Sequence, residues 1–457
     1  MGSVPAGPVP GDPVFSGSPS PPAAGPAIGD PAAAGASVEV EEPPLPAVPI
    51  PDVETRPRFA RPDSVKGIYL NAWASGSSRK MDRMVELARN TEVNSFVIDI
   101  KDVTGYVSHA SAVSTARDIG ALGEIRIGDL PGLLRRLEAE GIYPIARIVI
   151  VKDPLLIDAR PELAVQDTAG GVWKDSKNLV WLNLYNRGVW DYHVSLAEEV
   201  ARLGFPEIQW DYVRFPDASA SDLARASFPG DSVGPRSEAV RGFLEYANAR
   251  LDSLGMDVHT TADVFGVTTT FRRDVGIGQV WEQFIDRVDV ALPMVYPSHY
   301  WEGSHGVDEP NGHPYEIVRS ALEDARDRSA AVEGAGDVRP WLQDFTLGAP
   351  RYEAPEVRAQ IQATYDAGFD GWILWNPSSR YTEGALMPAG GFAKEPIIRV
   401  AGEFVPVSQR EAALERGRRR AAAAEVTEAR PDAEAASDSI PAPAASSLPA
   451  DTVGTGR

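Results

Sequence analysis

The chain contains no cysteine and only six histidines among its 457 residues. The lack of cysteine excludes disulfide bonds, thiolate nucleophiles and cysteine-ligated metal ions. Metal-dependent barrel enzymes gather several histidines at the ends of their strands, and this sequence offers no such set. We therefore predict a site that uses neither a metal ion nor another cofactor.

Basic residues are also scarce, with 44 Lys and Arg against 65 Asp and Glu and a formal net charge of −21. Binding to nucleic acid needs clustered Lys and Arg, so nucleic acid is not a predicted partner. No apolar run approaches the ~20 residues of a membrane-spanning helix, which predicts no integral membrane segment. The start shows no signal peptide, which favours a cytoplasmic location, or an envelope or secreted one if the true start lies upstream.

Both ends of the chain differ in composition from its middle. Residues 1–62 are rich in Pro, Ala and Gly and bury too little apolar surface to offset the entropy of ordering, so we predict a disordered leader. Residues 406–457 are predicted to form a tail, with a helix-like run at 410–428 followed by a disordered low-complexity segment. The central part, 63–405, is predicted to be one domain.

Short apolar segments alternate with segments of helical periodicity through this central part. The strand candidates are 65–71, 94–102, 142–151, 207–213, 257–264, 288–295, 338–343 and 369–375. The helix candidates are 79–90, 130–140, 189–203, 239–254, 315–327 and 355–367. Eight buried strands alternating with helices predict an α/β fold of the closed (β/α)₈ type, a TIM barrel. A doubly wound open sheet is the alternative, but no Gly-x-Gly-x-x-Gly turn follows the first strand.

Polar and aromatic residues stand at the carboxyl end of nearly every predicted strand, where a (β/α)₈ barrel places its active site. A purely structural role predicts apolar or small residues at these positions. We therefore predict a functional face that binds a substrate. The predicted substrate-binding residues are Trp73, Asp99, Lys101, Tyr212, Arg214, Tyr296, His299, Tyr300, Asp344, Trp375 and Asn376.

Asp211 and Asp263 stand out among these strand ends because they lie at the ends of adjacent predicted strands, the fourth and the fifth. Hydrolysis of a glycosidic bond needs two carboxyl groups across one bond, one protonated and one ionised. Arg214 is close enough in sequence to favour the ionised form of Asp211. The structural alternative is that Asp211 forms an ion pair with Arg214 and Asp263 caps a helix.

The segment around Asp211 resembles a known family. Gly204-Phe205 followed by residues 208–216, IQWDYVRFP, is similar to the fourth-strand signature of the putative glycosyl hydrolase domain family, a barrel group related to the alpha-amylase-like glycoside hydrolases. Residues 66–70 and 96–102 match it more weakly, and the resemblance covers about 65–381. It implies a glycoside hydrolase that acts on a poly- or oligosaccharide, with Asp211 as the nucleophile on the fourth strand.

Two positions depart from the amylase-like pattern. The fifth strand there supplies a Glu as the general acid/base, whereas this sequence has Asp263, and Gln209 stands where those enzymes have an Arg. Asp344 and Asp99 therefore remain competitors for the role of the acid. The alternative function is a catalytically inactive barrel that binds carbohydrate at the cell envelope. The sugar, the stereochemical outcome, endo or exo action and the oligomeric state stay open.

Overall fold

A computed structural model describes residues 48–52, 54–230 and 234–428. Residues 1–47 of the predicted leader and 429–457 of the predicted tail lie outside these ranges. Eight parallel strands form the centre of the fold, and their buried apolar residues agree with the predicted segments. They are β1 (Lys66–Leu70), β2 (Ser95–Lys101), β3 (Tyr143–Val149), β4 (Glu207–Asp211), β5 (His259–Phe265), β6 (Val290–Met294), β7 (Trp341–Gln343) and β8 (Trp372–Trp375).

These strands pair in chain order and close into a barrel. β1 pairs with both β2 and β8, and β7 joins β8 to β6. The two residues Asp337–Val338 continue the pairing along β6 just before β7. All of these ladders are parallel, so the eight carboxyl ends meet at one face of the barrel. The prediction of a TIM barrel is confirmed, and the open sheet is excluded.

Helices follow the strands and form the outer layer of the barrel. They are α1 (Ser78–Asn90), α2 (Leu130–Ala139), α3 (Arg187–Leu203), α4 (Arg236–Asp252), α5 (Trp281–Phe284), α6 (Pro314–Ser329), α7 (Ala354–Asp366) and α8 (Arg410–Glu428). Helix α5 is a single turn, which explains why no helical periodicity is visible between the fifth and sixth strands. An antiparallel hairpin, β9 (Ile397–Val400) and β10 (Glu403–Pro406), packs on α6 and α7, and α8 packs on the hairpin.

Alternate residues of each strand point into the barrel and fill it in layers. The lowest layer contains an ion pair between Glu207 and Arg339, whose side chains are buried. The next layer contains apolar side chains, among them Ile145, Leu292 and Ile373. The layer nearest the carboxyl ends is the exception, because it consists largely of ionisable and aromatic groups.

Part of the predicted leader lies against the barrel. Arg58 donates its backbone N–H to Glu138 at 2.8 Å, and Arg61 lies 2.7 Å from a ring nitrogen of His259. Phe59 packs against the apolar residues of the barrel. The division at residue 62 stays a prediction, but the residues just before it are in contact with the barrel. No helix within the described residues is long and apolar enough to cross a membrane.

Candidate active site

Arg147, in the middle of the top layer, contacts three carboxyl groups. Its Nη1 donates to Asp99 Oδ1 at 2.5 Å, and its Nε donates to Asp211 Oδ2 at 2.9 Å, with Nη2 bonded to the same oxygen. Nε also lies 3.9 Å from Asp263 Oδ2. Only 4% of the Arg147 side chain is exposed, so one buried cation is shared by three buried acids. We call these four residues the carboxyl cluster.

Asp211 is the last residue of β4 and lies within the motif 208–216 from which it was predicted. Its Oδ1 accepts the backbone N–H of Tyr212 at 2.6 Å, while Oδ2 accepts the two bonds from Arg147. Tyr212 adopts a left-handed conformation with φ of 54°, which is unfavourable for a bulky residue. This local turn ends the strand and brings the Tyr212 N–H to the carboxylate.

Asp263 lies inside β5 and points into the barrel. Gln209 donates from Nε2 to both carboxyl oxygens, at 2.8 and 2.9 Å, and Trp341 Nε1 donates to Oδ1 at 2.6 Å. Gln209 and Asp211 are two residues apart on β4, so both side chains point into the barrel. Gln209 therefore holds the neighbouring acid instead of supplying a charge to Asp211.

The pKa of Asp263 is raised well above its ordinary value, because the group is buried and close to the charge of Asp211. Arg147 and the hydrogen bonds from Trp341 and Gln209 oppose this shift without cancelling it. Burial and the nearby carboxyl groups of Asp263 and Asp211 also raise the pKa of Tyr296, whose hydroxyl stays protonated. Burial and the neighbouring charge of Asp211 therefore both favour the protonated form of Asp263.

The two carboxyl groups face each other across Arg147. Since its Nε lies 2.9 Å from Asp211 Oδ2 and 3.9 Å from Asp263 Oδ2, these two oxygens are at most about 6.8 Å apart. Retaining glycosidases have carboxyl groups ~5 to 5.5 Å apart, and inverting enzymes have them ~6.5 to 9.5 Å apart. The spacing excludes most of the inverting range.

Asp99 is bound on its other side by Tyr69, whose hydroxyl donates to Oδ2 at 2.5 Å. Burial raises the pKa of Asp99 to about 6, with Arg147 acting in the opposite direction. Tyr69 stacks on Trp375 with ring centroids 4.0 Å apart, and the Arg147 guanidinium lies 5.4 and 5.2 Å from these two rings. Asp99 and Trp375 thus belong to the same group of side chains as Asp211.

Several other predicted site residues are held elsewhere. Lys101 is fully buried and forms a 3.0 Å ion pair with Asp153, because a β-bulge between Asp99 and Lys101 changes the direction of the side chain. Arg214 pairs with Asp217 at 2.8 Å and makes no ion pair with Asp211. The expectation that Arg214 would balance Asp211 is therefore wrong, and Arg147 takes that place.

The remaining predicted residues lie around the mouth without joining the carboxyl cluster. Asn376 accepts the Ser378 N–H at 2.9 Å and so builds a turn. The Tyr300 hydroxyl is buried without a hydrogen-bond partner among the described residues. His299 lies beside Tyr296, with ring centroids 5.4 Å apart. Tyr212 contacts Arg214, and Trp73 is 64% exposed after β1.

Asp344, after β7, is separate from the carboxyl cluster. Its two oxygens accept from the backbone N–H and the hydroxyl of Thr382, at 2.8 and 2.6 Å. Burial raises its pKa to about 6, although these two bonds act against the shift. Asp344 therefore ties the loop after β8 to β7.

This raised pKa predicts how Asp344 affects stability. Its folded pKa of about 6 exceeds the unfolded value of ~4, so its contribution is fully present below ~4 and is lost as the pH rises through about 6. In Asp344→Asn we expect the free energy of unfolding, relative to wild type, to rise by about 2 kcal/mol between pH 4 and 7. Urea unfolding at four pH values measures this difference, and parallel pH profiles would contradict it.

Sequence reasoning missed Arg147, Tyr69 and Gln209. A signal for Arg147 was present, because it is the only charged residue in the otherwise apolar segment YPIARIV of β3. A charge in a strand buried on both sides needs a counter-ion, and alternation with Tyr143 and Ile145 points it inward. Which carboxylates would meet it could not be read from the chain.

Metal-binding groups or cavities away from the carboxyl cluster would be alternative sites, and a cavity lies at the opposite end of the barrel. No group of three or more His, Cys, Asp or Glu that could hold a metal ion occurs in the described ranges. A cavity of about 210 Å³ opens at the opposite end of the barrel, beside Arg61, Arg339 and the turn at 368–371. It is separated from the carboxyl cluster by the apolar layer of the barrel interior.

A (β/α)₈ barrel with buried acids at the carboxyl ends of its strands is an arrangement typical of glycoside hydrolases. The family described as "Putative glycosyl hydrolase domain" matches residues 67–381, and the chain belongs to this family. The match includes every strand of the barrel except the first residue of β1. No curated protein matches the chain.

Among solved structures, a hypothetical protein from Ruminiclostridium thermocellum is 38% identical and covers 43% of this chain and 97% of its own, with a TM-score of 0.39. The PgaB (BpsB) glycoside hydrolase domain from Bordetella bronchiseptica is 10% identical over 69% of this chain and 95% of its own, with a TM-score of 0.49. An exo beta-N-acetylglucosaminidase from Vibrio harveyi is 14% identical over 81% and 58%, with a TM-score of 0.45. None of them assigns a substrate to this chain.

Proposed function

We propose that this protein hydrolyses O-glycosidic bonds of a poly- or oligosaccharide with Asp211 and Asp263 as its catalytic pair. The observation that supports this proposal is the pairing of a carboxylate bound by Arg147 with a second carboxyl group whose pKa is raised well above its ordinary value. One acid that is ionised and one that is protonated at the same pH are what glycoside cleavage requires.

Asp211 acts in this proposal as the nucleophile. One of its oxygens attacks the anomeric carbon while the bond to the leaving sugar breaks, and a glycosyl-enzyme ester forms. The spacing of at most about 6.8 Å from Asp263 leaves little room for a water molecule between nucleophile and sugar, which favours retention of configuration. Arg147 is a positioning residue, since it holds the carboxylate without reaching the sugar.

Asp263 acts as the general acid and then as the general base. It gives its proton to the leaving glycosidic oxygen and later removes a proton from the water that hydrolyses the ester. Asp99 is less suited to this role because Arg147 bonds to it directly at 2.5 Å and favours its ionised form, whereas the same guanidinium lies 3.9 Å from Asp263. Asp344 is less suited because it is bonded to Thr382 outside the carboxyl cluster.

A catalytically inactive carbohydrate-binding barrel is the second candidate, and one observation favours it. Asp211 is only 5% exposed and Asp263 only 2%, so both acids are nearly closed off from solvent. A hydrolase needs a sugar to reach them, whereas a binding protein does not. Release of reducing sugar by the wild-type protein, from any member of a polysaccharide panel, separates the two candidates.

The variant Asp263→Asn tests the role of the acid. We expect kcat on a natural polysaccharide to fall by about 10² to 10³-fold, because the leaving oxygen is no longer protonated. An aryl glycoside with an acidic phenol needs little protonation, so kcat/KM for this substrate, which reports formation of the glycosyl-enzyme, should fall much less. The alkaline limb of the pH–rate profile should also disappear, since it reports deprotonation of Asp263.

Asp99→Asn and Asp344→Asn are the comparison variants in the same assay. Each removes one buried carboxyl group with a raised pKa, but neither should lower activity on the polysaccharide more than activity on the aryl glycoside. If either of them shows this difference between the two substrates and Asp263→Asn does not, the acid has been assigned to the wrong residue.

A further inference from the structure

Trp73 is the most exposed large apolar side chain among the described residues, at 64%. It follows β1 directly, in the short helix Ala72–Gly76, and therefore stands at the carboxyl-end face of the barrel. Burial of an indole contributes substantially to stability, yet nothing in the described part of the chain covers most of this ring. An exposed aromatic ring at this face of the barrel can stack on a bound ligand.

The position of this ring is fixed from beneath. The Arg126 guanidinium lies 5.2 Å from the Trp73 ring centroid and 5.6 Å from that of Tyr106. Arg126 is itself bonded to Asp102 and, at 2.9 Å, to Glu124, and only 5% of its side chain is exposed. A cation held in this way supports one face of the indole and leaves the other available.

The backbone that carries Trp73 is also fixed. Asn71 accepts the Ala74 N–H at 2.8 Å as the cap of the short helix, and its Nδ2 donates to Pro377 O at 3.0 Å. The ring is thus presented from a loop that is tied to the loop after β8. Such a platform loses little conformational entropy when a ligand stacks on it.

The short helix that carries Trp73 follows a strand on the side of the barrel opposite Asp263. In a ring of eight strands β1 stands opposite β5, which carries Asp263. Neighbouring strands ~4.8 Å apart and tilted by ~36° give a ring roughly 15 Å across. Trp73 contacts Arg126 outside the carboxyl cluster, so a sugar stacked on Trp73 is a different unit of the chain from a sugar bound between Asp211 and Asp263.

We propose that Trp73, supported by Arg126, is a distal subsite that stacks on a sugar of a glycan chain whose scissile bond lies at the carboxyl cluster. This inference rests on the proposed function and deepens it. The substrate is then a chain of several sugars, with one unit stacked on Trp73 and another at the carboxyl cluster. The hydrophobic C–H face of a pyranose is the chemistry that an exposed indole recognises.

The first test measures binding and does not need turnover. Full-length protein is run in native gels that contain cellulose ether, galactomannan, soluble starch or glycol chitosan. The wild type should be retarded by at least one polymer, and Trp73→Ala should lower that affinity about tenfold or more, whereas Trp73→Phe retains most of it. Phe404→Ala is the matched control, since Phe404 is 57% exposed with Arg399 5.2 Å from its ring, but lies on the outer hairpin.

The second test uses turnover. Trp73→Ala should raise KM for the polymer, whereas Phe404→Ala should leave both KM and kcat on the polymer unchanged. Retardation of Trp73→Ala equal to wild type, retardation by no polymer, or a change of oligomeric state in Trp73→Ala would each overturn the subsite. Binding that depends on Trp73 without any hydrolysis would support the subsite and refute the proposed activity.

Discussion

Asp211→Asn should lose at least about 10³-fold of kcat on the natural polysaccharide, because an amide is a far weaker nucleophile than a carboxylate. The replacement preserves the shape of the side chain. Its Oδ1 can still accept from Arg147 or from the Tyr212 N–H, although one of these donors then faces an NH₂ group. Steady-state kinetics on purified protein, with reducing sugar as the readout, measures the loss.

Glu207→Gln is the matched control for Asp211→Asn. Glu207 begins the same strand, β4, is fully buried and pairs with Arg339 at 2.7 Å at the opposite end of the barrel. Both variants neutralise a buried carboxylate that faces an arginine, so both should lower the free energy of unfolding. Only Asp211→Asn should abolish turnover. Equal activity of Asp211→Asn and wild type would remove Asp211 from the mechanism.

Arg147→Met should lower the free energy of unfolding at pH 7 by about 3 to 5 kcal/mol, as expected when one partner of a buried ion pair is removed. Asp99 and Asp211 would then remain buried without their shared cation. The variant should also lose most of its activity, since the carboxylate of Asp211 is no longer held in place. Urea unfolding and kinetics together test both expectations.

The loss in Arg147→Met should depend on pH. In the wild type the pKa of Asp99 is already raised to about 6 by burial, and Arg147 keeps it from rising further. Without the arginine the folded-state pKa lies higher still above the unfolded value of ~4, so stability is lost as the pH rises and is regained as it falls through the folded pKa. The difference from wild type should therefore shrink from pH 8 to pH 5.

Two further variants separate charge from geometry at this position. Arg147→Lys keeps the positive charge but not the fork of donors, so it should recover part of the stability and little of the activity. Arg339→Met removes the cation that pairs with Glu207 at the opposite end of the barrel and should leave turnover nearly intact. A stability loss in Arg147→Met that does not change with pH would show that the three carboxyl groups do not depend on this arginine.

The barrel could be predicted because the apolar pattern that identifies each strand or helix lies within that segment of the sequence. The apolar runs of β2, β3 and β4 reflect the burial of both faces of each strand. The periodicity of α1, α3 and α4 reflects the burial of one face of each helix. The single turn of α5 is too short to give such a pattern, and the leader residues that lie against the barrel have the composition of a disordered segment. Asp211 was also predictable, since its strand-end position follows directly from its motif.

The electrostatics of the site could not be predicted in this way. Arg214 is three residues from Asp211, whereas Arg147 is separated from it by 64 residues, and proximity in sequence favoured the wrong arginine. The left-handed turn at Tyr212 ends the strand before Arg214, and Arg214 then pairs with Asp217. The bulge in β2 likewise takes Lys101 away from the mouth and into contact with Asp153.

The sequence by itself determined the class of fold, the order of the strands and the placement of Asp211 and Asp263 on neighbouring strands, because burial imposes a pattern on every segment separately. Only the tertiary structure decided which cation meets which acid, because Arg147 is brought to Asp99, Asp211 and Asp263 by strand pairing and alternation. A pKa depends on burial and on charges within a few ångströms. The raised pKa of Asp263 is therefore a property of the closed barrel.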